Sequence, residues 1–248
     1  MYLPACRQVM PEQYCLNNVQ LQTAEMQNKQ IMNGQTAVVL GATGLIGSAL
    51  VKQLLNDDAF STVRVLVRRP LALQHPKLEV CITDFSDYEA FKKNLGTGDC
   101  IFSCIGTTNA NVKGDKLLYR SIDFDIPVNA ARFGSEAGFK QYLLVSAIGA
   151  DARSRIFYSR LKGEVEEVIA TFPFDGLHIF RPSLLVGERK EKRLGEVIGT
   201  VIFRMFSFLL PSKYKAIEGS AVANAMVQAA KANKPGLNLY DYNAMTGF

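Results

Sequence analysis

Tyr158 and Lys162 stand four residues apart in a stretch that the sequence predicts to be helical over about residues 155–170, so they share one face. Ser146 ends a predicted strand twelve residues before Tyr158. A phenol, an ammonium and a hydroxyl in this order suit addition of hydride to a carbonyl, which builds negative charge on oxygen. Tyr158 can donate a proton there, Lys162 can lower the phenol's pKa through its charge, and Ser146 can hydrogen-bond the same oxygen. A free tyrosine titrates near pH 10, so such tuning is needed at neutral pH. Four-residue Tyr–Lys spacing is common by chance, and a surface tyrosine beside a solvated lysine is the plain alternative.

A hydride needs a carrier, and residues 38–50 (VVLGATGLIGSAL) provide a place for one. An apolar strand runs into Gly41, then Gly44 and Gly47 follow and an amphipathic helix begins. Gly41 allows the turn, Gly44 admits a pyrophosphate close to the backbone, and Gly47 lets helix and sheet pack closely. The free N–H groups at the helix start then face the phosphates. Without a ligand the same residues would be a glycine-rich strand-to-helix turn. Arg68 and Arg69 end the second strand, where such folds read the adenosine ribose. An arginine there accommodates the 2′-phosphate of NADP, whereas an acidic residue favours NAD. Arg68 is preferred of the two because it directly ends the strand.

Asp84 and Phe85 follow the third strand. Asp84 could accept from an adenine amino group, or could simply belong to a polar turn. Residues Cys104, Ile105, Gly106, Thr107 and Thr108 end the fourth strand. There Gly106 permits close backbone approach and the threonine hydroxyls can reach phosphate or ribose.

From about Gln35 to Ala232 the chain resembles an atypical short-chain dehydrogenase/reductase, similar to the Tat-interacting-protein-like oxidoreductases. The carrying segments are GATGLIG, with its GxxGxxG spacing, VRVLVRRP, CIGTT, SAIGADARS, FYSRLKGEVE, FRPSLLVGERKEKRLGE and PSKYKAIEGSAVANAM. The resemblance implies a Rossmann fold and NADPH binding, with contacts at Gly41, Gly44, Leu45, Ile46, Gly47, Arg68, Asp84, Phe85, Ile105, Gly106, Tyr158, Lys162 and Pro182. Thr43, Arg69, Cys104 and Thr107 complete the candidate cofactor set. Some members of that family are discussed as regulators of transport or transcription. Two readings therefore stand: an NADP(H)-dependent oxidoreductase reducing a small carbonyl compound, and a non-catalytic NADPH sensor that shapes a partner-binding surface. The sequence departs from the wider superfamily at Asp123, where an asparagine often serves a proton relay.

The 248 residues are 48% hydrophobic and 21% charged, enough to bury a sizeable core. A net charge of +5, with basic residues clustered only at 64–69 and 189–193 and no interleaved aromatics, gives nucleic-acid binding no support. The five cysteines lack CxxC spacing and there are only two histidines, so no metal site is expected. Cys81, Cys100 and Cys104 read as buried reduced thiols, which points to the cytoplasm. Residues 1–15 lack the basic and apolar regions of a signal peptide, and the apolar stretch 197–210 is too short to span a membrane. Monomer and homodimer both stay open.

The elements that must position these groups alternate along the chain. Strands are predicted at 36–40, 63–67, 78–82, 100–105, 142–146, 177–180 and 237–240. Helices are predicted at 45–55, 86–95 (opened by a Ser86–Glu89 capping box), 121–137, 155–170, 194–209 and 220–232. This implies a Rossmann-type doubly wound parallel sheet with a small C-terminal helical elaboration, forming one domain over residues 34–248. Residues 1–33, rich in Gln and Asn, read as a poorly ordered or misassigned extension. The stripe from Leu194 to Leu209 reads as core or oligomer surface before substrate lid, and the cluster 189–193 as a solvated loop.

Overall fold

The computed structural model describes residues 34–186 and 215–248. The expectations for the N-terminal extension, the 194–209 helix and the basic loop before it lie outside those residues.

Seven strands form one fully parallel sheet in the order β3-β2-β1-β4-β5-β6-β9. The strands are β1 (Gln35–Leu40), β2 (Phe60–Val67), β3 (Leu78–Ile82), β4 (Cys100–Ser103), β5 (Gln141–Val145), β6 (Gly176–Phe180) and β9 (Gly236–Tyr240). The helices are α1 (Leu45–Leu55), α2 (Tyr88–Leu95), α3 (Lys116–Arg120), α4 (Ile126–Glu136), α5 (Phe157–Ile169), α6 (Gly219–Ala232) and α7 (Tyr242–Thr246).

Alternate residues of β1 serve opposite faces. Ala37 and Val39 join a core with Leu50 and Leu54 of α1 and Val222 and Met226 of α6. Val38 and Leu40 join a second core with Phe91 of α2, Ala130 of α4 and Val165 of α5. A central parallel strand covered on both faces must be continuously apolar, as VVL is. The order reverses between β1 and β4, which opens a crevice at the C-terminal ends of the strands. That crevice is where open α/β sheets take their ligands.

Several boundaries differ from the sequence expectation. The cap of α2 is Asp87, whose carboxylate accepts from Ala90 N at 3.0 Å, and not the expected Ser86–Glu89 box. Ser86 is instead held by Asp84 in a local turn. The helix expected to start at Ser121 starts one turn earlier. Asp115 caps α3 by accepting from Leu117 N and Leu118 N, a signal present in the Gly-Asp sequence just before it. Between α3 and α4, residues Ser121–Asp125 form a π-helical turn. Pro127 explains the wider winding: it lacks an N–H and its ring would crowd the carbonyl one α-turn back.

A two-stranded parallel ribbon joins β7 (Leu185–Val186) to β8 (Ile217–Glu218) and was not foreseen. Segments of two residues carry no periodicity. Cys81 and Cys104 are half-buried where full burial was expected, and Cys100 is buried.

Candidate active site

The chain turns sharply at Gly41, whose φ of +81° suits glycine; a Cβ there would lie 2.5 Å from the Cys104 carbonyl oxygen. A Cβ at Gly47 would lie 2.1 Å from the Gly41 carbonyl oxygen, so α1 can sit this close to the sheet only with glycine. Gly44 caps α1 without any side-chain hydrogen bond, and no acidic residue occupies the first turn. Thr43 and Gly44 are exposed, Leu45 is half-buried and Ile46 is buried beneath them. Free N–H groups, a positive dipole end and an open backbone fit a pyrophosphate.

The remaining expected cofactor residues lie at the same ends of neighbouring strands. Arg68 and Arg69 follow β2 as exposed residues, with no hydrogen bond or ion pair to other described residues. Arg64 in the same basic cluster is structural: it pairs with Glu79 at 2.8 Å and donates to the Leu95 and Thr97 carbonyls. Asp84 is exposed and accepts from the Ser86 hydroxyl and N–H, which lower its pKa. Phe85 stacks edge-on against Phe91. Cys104 follows β4, its sulfur 4.0 Å from Met226 Sδ, and burial pushes its thiol up to about 12, so it is no nucleophile at neutral pH. Ile105 and Thr107 are half-buried and Gly106 is exposed. Pro182 follows β6 and its carbonyl accepts from Ile148 N at 2.9 Å, tying the β6 end to the loop after β5.

The three proposed reacting groups have different settings. Tyr158, in the first turn of α5, is 41% exposed, and its hydroxyl has no hydrogen-bond partner among the described residues. Lys162, one turn on, is only 5% exposed, and its Nζ lies 3.0 Å from Asp123 Oδ2. Asp123 is 1% exposed, and its Oδ1 accepts from Thr107 N at 2.7 Å. The carboxylate left in doubt by the sequence thus joins the loop after β4 to the lysine of α5.

Ser146 is buried just beyond β5, and its hydroxyl donates to Glu166 Oε1. Glu166 also accepts from Arg181, through Nε at 3.0 Å on Oε1 and through Nη2 on Oε2. The Glu166 bond holds the Arg181 pKa up. Sequence reasoning missed Glu166 and Arg181. The signal was there, since Glu166 lies four residues beyond Lys162 on the face that carries Tyr158. Ser146, the group expected to polarise a carbonyl, is thus hydrogen-bonded to a carboxylate of the helix that carries Tyr158 and Lys162.

A parallel sheet reversing at β1, a glycine turn into α1 and a Tyr-x-x-x-Lys helix after β5 together define the Rossmann short-chain dehydrogenase/reductase class. The family model for NAD(P)H-binding proteins matches residues 41–171. The chain is 31% identical over 182 residues to Protein HTATIP2 of Rattus norvegicus, covering 72% of each chain. It is 32% identical over 187 residues to "Protein FMP52, mitochondrial" of Eremothecium gossypii, covering 75% of this chain and 82% of that one. The chain belongs to the NAD(P)H-binding family, in its atypical short-chain dehydrogenase/reductase branch. Among solved structures, the fold is shared with MoeE5 in complex with UDP-glucuronic acid and NAD, with a TM-score of 0.64, 17% identity and coverage of 84% and 79% of the two chains. It is shared too with the UDP-N-acetylglucosamine 4-epimerase of Methanobrevibacter ruminantium M1, with a TM-score of 0.63, 16% identity and coverage of 87% and 81%. Among the described residues no helix is long and apolar enough to cross a membrane.

Proposed function

We propose that this protein is an NADP(H)-dependent oxidoreductase interconverting a small carbonyl compound and its alcohol. The carrying observation is the α5 face, where exposed Tyr158 stands one turn from Lys162, itself held by Asp123. The bound dinucleotide would supply or accept the hydride. Gly41, Thr43, Gly44, Leu45, Ile46 and Gly47 would hold the pyrophosphate. Arg68, with Arg69 beside it, would take the 2′-phosphate and select NADP over NAD. Asp84 and Phe85 would border adenine, and Cys104, Ile105, Gly106, Thr107 and Pro182 would line the ribose and nicotinamide end.

Tyr158 would hand its proton to the carbonyl oxygen, and the Lys162 ammonium would favour the phenolate left behind. Ser146 is the third group we place beside the reacting oxygen. The test is loss of NADPH absorbance against a panel of aldehydes, ketones and quinones, with calorimetric titration of both dinucleotides. Turnover with a preference for NADPH is expected; tight NADPH binding without turnover on a broad panel would overturn the catalytic reading.

Two observations favour the sensor reading as the alternative: among the described residues the Tyr158 hydroxyl has no partner to aim it, and the Ser146 hydroxyl already donates to Glu166. The three cysteines among the described residues are free, which supports a reducing compartment, and the cytoplasm is our reading. The mitochondrial name of the FMP52 relatives makes imaging of the tagged full chain the deciding observation.

A further inference from the structure

We infer that the surface where α3 lies against the beginning of α5 is a docking site for an acidic segment of another protein, one that carries apolar anchors. The inference goes beyond the oxidoreductase reading and does not depend on turnover. Leu117 on α3 is 81% exposed and Ile156, the residue before α5, is 66% exposed, the two highest values for large apolar side chains among the described residues. Leu118 adds a third at 45%. Contacts between the two helices put these residues on one surface. Lys116 Nζ lies over the Phe157 ring, 5.7 Å from its centre, and Tyr119 meets the same ring edge-on at 5.6 Å. Arg120 pairs with Glu164 at 2.7 Å further along both helices. A single exposed leucine is ordinary, but a cluster of the most exposed apolar side chains calls for a partner.

Charge selects that partner. Lys113, Lys116 and Arg155 are exposed, and none of them has an ion pair with another described residue. The carboxylates beside them are engaged locally: Asp115 accepts from Leu117 N and Leu118 N, and Asp151 accepts from Arg153 N. A second copy of the chain meeting this same face would bring like cations together, which disfavours self-pairing. A segment bearing Asp or Glu would meet Lys113, Lys116 and Arg155 while its apolar side chains covered Leu117, Leu118 and Ile156. An anionic bilayer fits less well. With five residues, α3 lacks the long apolar face by which an interfacial helix lies in a membrane. The base of the surface is preorganised, since Tyr119 is 7% exposed and its hydroxyl donates to the Thr107 carbonyl at 3.2 Å.

Selection from a random-peptide display library on the immobilised full chain tests the chemistry. Enriched peptides should combine Asp or Glu with Leu, Ile or Phe; enrichment of basic peptides, or no enrichment, overturns the inference. A labelled synthetic copy of an enriched peptide, read by fluorescence anisotropy, then locates the site. Lys113→Gln with Lys116→Gln and Arg155→Gln should weaken its binding on the order of tenfold or more, and so should Leu117→Ser with Ile156→Ser. All five side chains are exposed, so both variants should melt at the wild-type temperature. If either melts lower, wild type supplies the reading. Its affinity for the peptide should fall between about 50 and 300 mM salt, because charges steer the encounter. Undiminished binding in either folded variant, or binding by wild type that ignores salt, overturns the inference. Co-sedimentation of wild type with vesicles of phosphatidylcholine and phosphatidylserine, lost in both variants, would assign the surface to a membrane and overturn it as well.

Discussion

Asp123 and Lys162 form an ion pair at 3.0 Å with both side chains almost sealed from water. The other Asp123 oxygen accepts from the Thr107 N–H, so one carboxylate ties the loop after β4 to α5. Removing one member of a buried pair strands the other charge. Asp123→Ala should therefore cost about 3–5 kcal/mol in chemical denaturation. Asp123→Ala combined with Lys162→Met should cost less than Asp123→Ala alone. If the double variant is the less stable, the pair is not the source of the loss.

Arg68→Ala should weaken NADPH much more than NADH, because only NADPH carries the 2′-phosphate that an arginine can grip. Arg68 is exposed and makes no bond to other described residues, so its loss should leave the melting temperature unchanged. Calorimetric titration of the two dinucleotides reads the difference. Equal losses for both would place Arg68 away from the ribose.

Tyr158→Phe should leave stability and NADPH affinity close to wild type, since the hydroxyl bonds to no other described residue. The rate should fall by about 10²–10⁴-fold, the usual worth of a general acid. Full activity in the variant would assign the proton to another donor.

His178 is buried in β6 with Nδ1 3.0 Å from the Tyr240 hydroxyl, and burial, aided by Lys234, lowers its pKa from 6.5 to about 4. Between those values the unfolded chain binds a proton at this residue that the folded chain refuses. Its contribution to stability is therefore complete above pH 6.5 and is lost as the pH falls toward 4. His178→Gln should flatten that part of the acid limb in a melting-temperature series; an unchanged limb would assign the acid sensitivity elsewhere.

The sheet was legible because its signals are long or chemically sharp. The apolar runs of β1, β5 and β6 and the glycine turn each repeat one message over several residues. Ser146, Tyr158 and Lys162 stood out in the sequence because residue type and spacing coincide with a chemistry. Their surroundings were not. Glu166 and Arg181 read as ordinary charges until β6 folds against α5, and the choice of Glu166 as the Ser146 acceptor exists only in three dimensions. Asp123 was noticed as a departure, but its inward aim depends on a π turn that no apolar period announces. The ribbon of β7 and β8 is too short to leave a pattern. Asp87 displaced the expected Ser86 cap because both are good capping residues, and Asp84 had already engaged Ser86.

The π turn at Ser121–Asp125 acts as an inserted letter in an otherwise α-helical text. One residue corresponds to about 100° of α-helical rotation and 1.5 Å of rise. Deleting any one residue between 121 and 125 would restore plain α winding and swing α3 around relative to α4. Asp115, Tyr119 and the approach to Thr107 would go with it, even where the deleted residue is not Asp123 and every named side chain is still present. A single gap in this window among descendants of a common ancestor would thus record a change of site architecture, even where Ser146, Tyr158 and Lys162 are all retained.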